Sequence, residues 1–184
     1  MNWSYCKTEE FTPEDYAGAY AGLSPSRRAH IDGLKSEKAR KQSLAGELLV
    51  QRLLAERYGI THAQLHRKDN GQPYLTGCTL YVSISHCEDL VVCAINESPV
   101  GIDAQKLRPM DLDISRHVCT EQERQYLFAP ADYGQQLERF YEIWTAKEGW
   151  FKKQGTGIKG LKTVNILPLD RQLFRLEDYL VQVL

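Results

Sequence analysis

The chain has 184 residues, 42% of them hydrophobic and 26% charged, with a formal net charge of −1. That make-up excludes a disordered chain and fits a globular protein with room for one domain or two small ones. The near-zero charge gives no general basic surface for nucleic acid, so no nucleic-acid partner is expected, and no apolar run approaches the roughly 18 residues a membrane helix needs. Five cysteines (Cys6, Cys78, Cys87, Cys93, Cys119) form no CxxC pair and show no zinc-ligand spacing. The opening MNWSYCKTEE has no signal-peptide pattern, and a cytoplasmic location with reduced thiols and no membrane partner is expected.

In chain order, residues 2–6 read as a short strand. Thr12-Pro13-Glu14 sets an N-cap, a proline at the first helical position and an acid in the first turn, so a short helix follows; Ser24-Pro25 starts another. Residues 36–58 read as the first long helix, apolar around much of its girth through Leu44, Leu48, Leu49, Leu53 and Leu54, and closed by Gly59. Strands are predicted at 64–67, 80–85, 90–95 and 100–103, with a turn at Asp69-Asn70-Gly71. Residues 119–128 are predicted helical, with Thr120 and Glu123 in the capping-box relation; Glu121 and Glu123 read as helix-terminus acids. A second long helix is predicted over 133–153, closed by Gly155, and strands at 163–167, 172–176 and 179–184.

Helix then strands thus occurs twice. The fold class expected is α+β: two similar halves, residues 1–97 and 98–184, in a pseudo-two-fold arrangement. Each is a long helix packed on a small, mainly antiparallel sheet. The second half has no evident counterpart to the 90–95 strand and runs out sooner.

Three stretches carry chemistry. SISHC, residues 83–87, places His86 at a strand end, where a satisfied structural histidine is the bland alternative. In VGIDAQ, residues 100–105, Asp103 and Gln105 are two apart and share a face of an extended segment, though an aspartate there can be a simple turn former. In FYEIWTAKEGWFKKQGTG, residues 140–157, Glu148 falls within a stripe of Leu137, Phe140, Tyr141, Trp144 and Phe151, with Lys152 one turn on. A carboxylate on an aromatic face is costly unless a positive partner meets it. Between Arg27 and Lys41 lie six basic residues, Arg27, Arg28, Lys35, Lys38, Arg40 and Lys41, against only Asp32 and Glu37. That run is either a solvated face or a landing site for phosphates. GTGIKGLK, residues 155–162, has the glycine spacing of a P-loop but Leu161 replaces the required lysine, and it follows a helix.

Together the three stretches resemble the signature of the Sfp-type (surfactin-synthetase-activating) 4′-phosphopantetheinyl transferases. The matching residues are Ser85-His86-Cys87, Gly101-Ile102-Asp103-Ala104-Gln105, and Trp144 through Lys147-Glu148 to Lys152. The long first helix and the NGQPYL turn extend the resemblance over most of the chain. It implies transfer of the phosphopantetheine arm of coenzyme A to a serine of an acyl or peptidyl carrier protein, with Mg²⁺ required and 3′,5′-ADP released. It places coenzyme A on the first half, through Lys35, Lys38, Lys41, Ser43, Ser85 and His86. Metal ligands Asp103, Glu148 and Gln105 and the phosphate-binding Lys152 fall in the second, with carrier docking on residues 155–169 rimmed by Lys152, Lys153 and Lys159. The chain departs from the family where its second acidic ligand is Gln105, where Gln72 stands for a common lysine, and where Cys87 replaces a common serine. The alternative is a non-catalytic relative that binds coenzyme A or a carrier protein. A chain with two halves building one site is expected to work as a monomer.

Overall fold

Strand β1 (Trp3–Lys7) and two short helices, α1 (Pro13–Gly22) and α2 (Pro25–Asp32), lead to the long helix α3 (Glu37–Tyr58) in the computed structural model, which describes residues 2–184. The helix starts are local chemistry. The Thr12, Ser24 and Ser36 hydroxyls accept the Asp15, Arg27 and Ala39 N–H groups, and Thr12 with Asp15 completes a capping box. Gly59, at φ 65°, ends α3 in a left-handed turn that a side chain would resist. The hairpin β2 (Gln64–Arg67) and β3 (Pro73–Thr76) follows, then β4 (Tyr81–Cys87) and β5 (Leu90–Asn96). The sequence reading has no strand at 73–76, where Pro73 masks a short pairing with β2.

The main sheet of this part is antiparallel, in the order β1-β5-β4. Val91, Cys93 and Ile95 alternate onto one face of β5, where they meet Ala45, Leu49, Val50, Leu53 and Leu54 of α3. Each fully buried leucine there stabilises the fold by about 1.5–3 kcal/mol.

The second part repeats the order. Strand β6 (Ile102–Lys106) is followed by α4 (Ser115–Val118), α5 (Glu121–Phe128) and the long helix α6 (Tyr133–Gln154), then by β7 (Gln172–Leu176) and β8 (Tyr179–Val183). Both long helices have 22 residues and end on a left-handed glycine, Gly155 in α6 at φ 66°. The sheet order is β6-β8-β7, again antiparallel. The chain accordingly divides into two compact units, Met1–Pro99 and Val100–Leu184. The architecture is the α+β one expected, a long helix and a small antiparallel sheet in each unit.

Three expectations need correcting. The second unit does have a counterpart to the 90–95 strand: β8 is the middle strand between the first and the penultimate, as β5 is in its own sheet. Among the described residues, the two-stranded β2–β3 hairpin is the sheet that the second unit does not repeat. Residues 163–167 form no strand; a 3₁₀ turn at Leu161–Thr163 gives way to irregular chain. Its backbone groups bond to side chains instead, with the Leu161 and Val164 carbonyls accepting from the Lys147 ammonium and the Ile166 N–H donating to Glu123. Finally, the most buried side of α6 runs through Phe140, Ile143, Ala146, Lys147 and Phe151, and Leu137, Tyr141, Trp144 and Glu148 lie half-buried at its margin.

Candidate active site

The site in the second unit begins with two glycines. Residue 101, just before β6, and residues 103 and 105 on it share a face by strand alternation, and that face meets α6. A Cβ on Gly101 would lie 1.8 Å from the Gly149 carbonyl oxygen, so the two backbones touch. A Cβ on Gly149 would come within 2.6 Å of the Leu184 side chain. This contact brings Asp103, fully buried, beside Glu148 one residue along the helix.

The polar groups there converge. The Gln105 amide nitrogen donates to Asp103 Oδ2 at 3.0 Å and stands 3.5 Å from Glu148 Oε2. Lys152 Nζ forms an ion pair with Asp103 Oδ1. Burial pushes the Glu148 carboxyl up, Asp103's charge pushes it further, and Lys152 offsets part of this; the result is about 8. In the metal-free protein near neutral pH, Glu148 is therefore largely protonated and hydrogen-bonded to Asp103.

A carboxyl whose pKa rises on folding stabilises the fold below its ordinary value of 4.5, and that stability is lost as pH climbs through about 8. With chelator present, the thermal midpoint is expected to fall between about pH 5 and about pH 9, and Glu148→Gln should flatten the fall. Parallel profiles for the two proteins would show that Glu148 is not the group responsible.

Two carboxyl groups drawn together, Asp103 out of water, offer hard oxygens, and the Gln105 amide, which turns its N–H to them, would add its own oxygen by a half-turn of the amide plane. Such a donor set fits a hard divalent cation, which takes one or two carboxylates and completes its shell with phosphate oxygens and waters. Among the described residues no group of three or more His, Cys, Asp or Glu side chains gathers, in keeping with an amide at the third position.

In the first unit the structure separates the expected residues. Ser43 meets Arg27, not the lysines: Arg27 Nη2 donates to Ser43 Oγ at 2.8 Å and Nε to Glu47 Oε2 at 3.3 Å. Lys38 pairs with Glu88 at 2.7 Å and Lys41 with Glu37 at 3.0 Å, while Lys35 is exposed. Glu88 lies in the β4–β5 turn at φ 55°, and its carbonyl accepts from Gln42, so Lys38 and Gln42 together hold the turn beside His86. His86 is exposed on the α3 side of β4, with Val82 and Ile84, whereas Ser85 is buried and leaves the strand on the opposite face.

Arg27 and Arg67 were not singled out by sequence. Arg27 is 4% exposed, and its Nη1 and the Nε of Arg67 are buried without a hydrogen-bond acceptor. The two guanidiniums interact, and with burial Arg27 helps push the pKa of Arg67 down and, with Arg67, that of His30. Glu47 is the carboxylate among these cations. Such a cluster fits an anion. Arg27 belongs to the basic run 27–41, so composition carried its signal; Arg67, on a short strand, had none.

A family model for the N-terminal part of 4′-phosphopantetheinyl transferases matches residues 9–98, and one for the 4′-phosphopantetheinyl transferase superfamily matches 99–182. The chain belongs to the 4′-phosphopantetheinyl transferase superfamily. Among the transferases it is similar to, one from Bacillus subtilis is 29% identical over 177 residues, covering 86% of this chain and 72% of its own length. The transferase Sfp of Bacillus subtilis strain 168 is 27% identical, with coverages of 85% and 67%. The L-aminoadipate-semialdehyde dehydrogenase-phosphopantetheinyl transferase of Rattus norvegicus is 29% identical, with coverages of 86% and 57%. The boundary between the two matches falls where the two compact units of this transferase meet in sequence. These names place the chain among Sfp-type transferases. No helix is long and apolar enough to cross a membrane among the described residues.

Proposed function

We propose that the chain transfers the 4′-phosphopantetheine group of coenzyme A to a serine of an acyl or peptidyl carrier protein. The observation that carries this reading is the convergence of Asp103, Gln105, Glu148 and Lys152 over a glycine–glycine contact, on a chain of this family. Asp103 and Glu148, with the Gln105 amide, would hold Mg²⁺, which supplies charge neutralisation for the diphosphate when bound. Lys152 adds a positive charge for the phosphate under attack. The serine hydroxyl forms the new P–O bond, the bond to the nucleotide breaks, 3′,5′-ADP leaves, and the serine proton passes to a base or to water. Glu148 is assigned as a ligand; a metal-bound carboxylate is a poor base because its pKa falls.

The first unit is assigned to coenzyme A. Arg27 and Arg67, with N–H groups to spare and Ser43 beside Arg27, are the strongest candidates for a phosphate; His86, Lys35 and Lys41 are kept as further candidates in the same unit. Lys38 is given the lesser part of holding the β4–β5 turn. Ser85, on the opposite face from His86, would serve through the strand's placement. Residues 155–169, with Lys152, Lys153, Lys159 and the exposed Ile158, fit the acidic surface of a carrier, and association should weaken with salt.

The test is direct. Apo-carrier, coenzyme A and Mg²⁺ should give a carrier whose mass has grown by one phosphopantetheine, and chelator should stop it. Stabilisation by coenzyme A without any mass gain on acyl and peptidyl carriers alike would favour the binding-only reading. A second expectation concerns Gln105. Gln105→Glu restores a third carboxylate and should lower the Mg²⁺ needed for half-maximal rate several-fold, to about a tenth. An unchanged requirement would remove Gln105 from the ligand set.

A further inference from the structure

Lys147 stands one residue before Glu148, yet its side chain is fully buried and turned to other work. Its ammonium lies 2.8 Å from Glu123 Oε2, and both side chains are 0% exposed. It donates to the Leu161 carbonyl at 2.8 Å and also to the Val164 carbonyl. Glu123 is equally committed. Its Oε2 accepts the Thr120 N–H at 2.7 Å, closing the capping box of α5, and its Oε1 accepts the Ile166 N–H at 2.8 Å. Two charges thus leave water together, and beyond their own ion pair three contacts end on the backbone of residues 161–166 and one on that of Thr120. An apolar pair of similar volume would stabilise the unit as well or better. The pair's distinct contribution is to specify one path for a stretch with no strand partner.

We propose that Glu123 and Lys147 are positioning residues that hold residues 155–166 in the form that receives the carrier protein. This rests on the transfer reading above. The segment leaves α6 at Gly155, passes three glycines in left-handed backbone (Gly155, Gly157, Gly160), and exposes Ile158 and Lys159. Glycines lower the barrier to other conformations, so the stretch needs an anchor at its far end. The clamp supplies it and ties it to α6 next to Glu148. A carrier docked on 155–160 is thereby registered against the Glu148 carboxylate through the residue that precedes it on α6. Coenzyme A, assigned to the first unit, is outside this linkage.

The decisive variants are Lys147→Met, and the double variant Glu123→Leu with Lys147→Met, which removes both charges and keeps the volume in case the single variant does not fold. In whichever variant folds, the Michaelis constant for the carrier should rise about tenfold or more while that for coenzyme A and kcat at saturating carrier change less than about twofold. Hydrogen exchange at the Ile166 amide should speed up, with amides in β6 and β8 unaffected. An unchanged carrier constant with Ile166 still protected overturns the clamp; an equal loss in both constants and in kcat reduces the pair to general stability. If the wild-type chain transfers nothing, the function reading fails first. Exchange at Ile166 then still decides whether the pair holds the segment: unaltered protection in the variants refutes it.

Discussion

Asp103→Ala is expected to lower kcat/KM for transfer by about a thousandfold or more while the protein stays folded, and Glu148→Ala should do the same. Removing Asp103 takes away the Lys152 ion pair and the hydrogen bonds from Gln105 and Glu148, but it also removes a buried charge, and Lys152 is exposed enough to hydrate its own. Losing the Asp103 charge and hydrogen bond removes two of the three causes that raise the Glu148 pKa, so it should drop from about 8, leaving burial to raise it and Lys152 to lower it. Circular dichroism and thermal unfolding check the fold, and carbon-detected titration of Glu148 checks the shift. Substantial transfer by either alanine variant would contradict the ligand assignment.

Gly101→Ala should be the most damaging small substitution in the second unit. Its new methyl would overlap a backbone carbonyl, which cannot rotate away, so β6 and α6 must part. A cost of about 3 kcal/mol or more is expected, together with loss of transfer, because Asp103 would move relative to Glu148. Gly149→Ala is the instructive contrast. There the methyl meets the tip of the Leu184 side chain, which can change rotamer, and the cost should stay within about 1–2 kcal/mol. Denaturant unfolding of the two variants separates these outcomes; equal stabilities would mean that the backbones do not touch as described.

The parts of the fold that sequence disclosed are those decided within a few residues. Thr12, Ser24, Ser36 and Thr120 start helices because their hydroxyls reach N–H groups three residues on, and Gly59 and Gly155 end the two long helices because the chain must turn left-handed there. The three motifs were likewise visible, and Asp103 with Gln105 could be placed on one face from strand alternation. What stayed hidden depended on residues far apart in the chain. Residues 163–167 have strand-like composition, but Lys147 and Glu123 claim their backbone groups, and nothing local announces it. Glu123 looked like an ordinary capping acid for the same reason: one oxygen does cap, and the other does not. The helix stripe was off by a fraction of a turn, because a buried lysine sits where periodicity alone would seek an apolar side chain.

Asp103 and Glu148 can both carry charge side by side only if a cation joins them, and the proposed function assigns that place to a divalent metal ion. Titration of the coenzyme A-loaded chain with Mn²⁺, followed by electron paramagnetic resonance, measures this without reference to turnover. The wild-type chain should hold one tightly bound ion, weakened at least about a hundredfold by Asp103→Ala. Wild-type affinity in that variant would contradict the account.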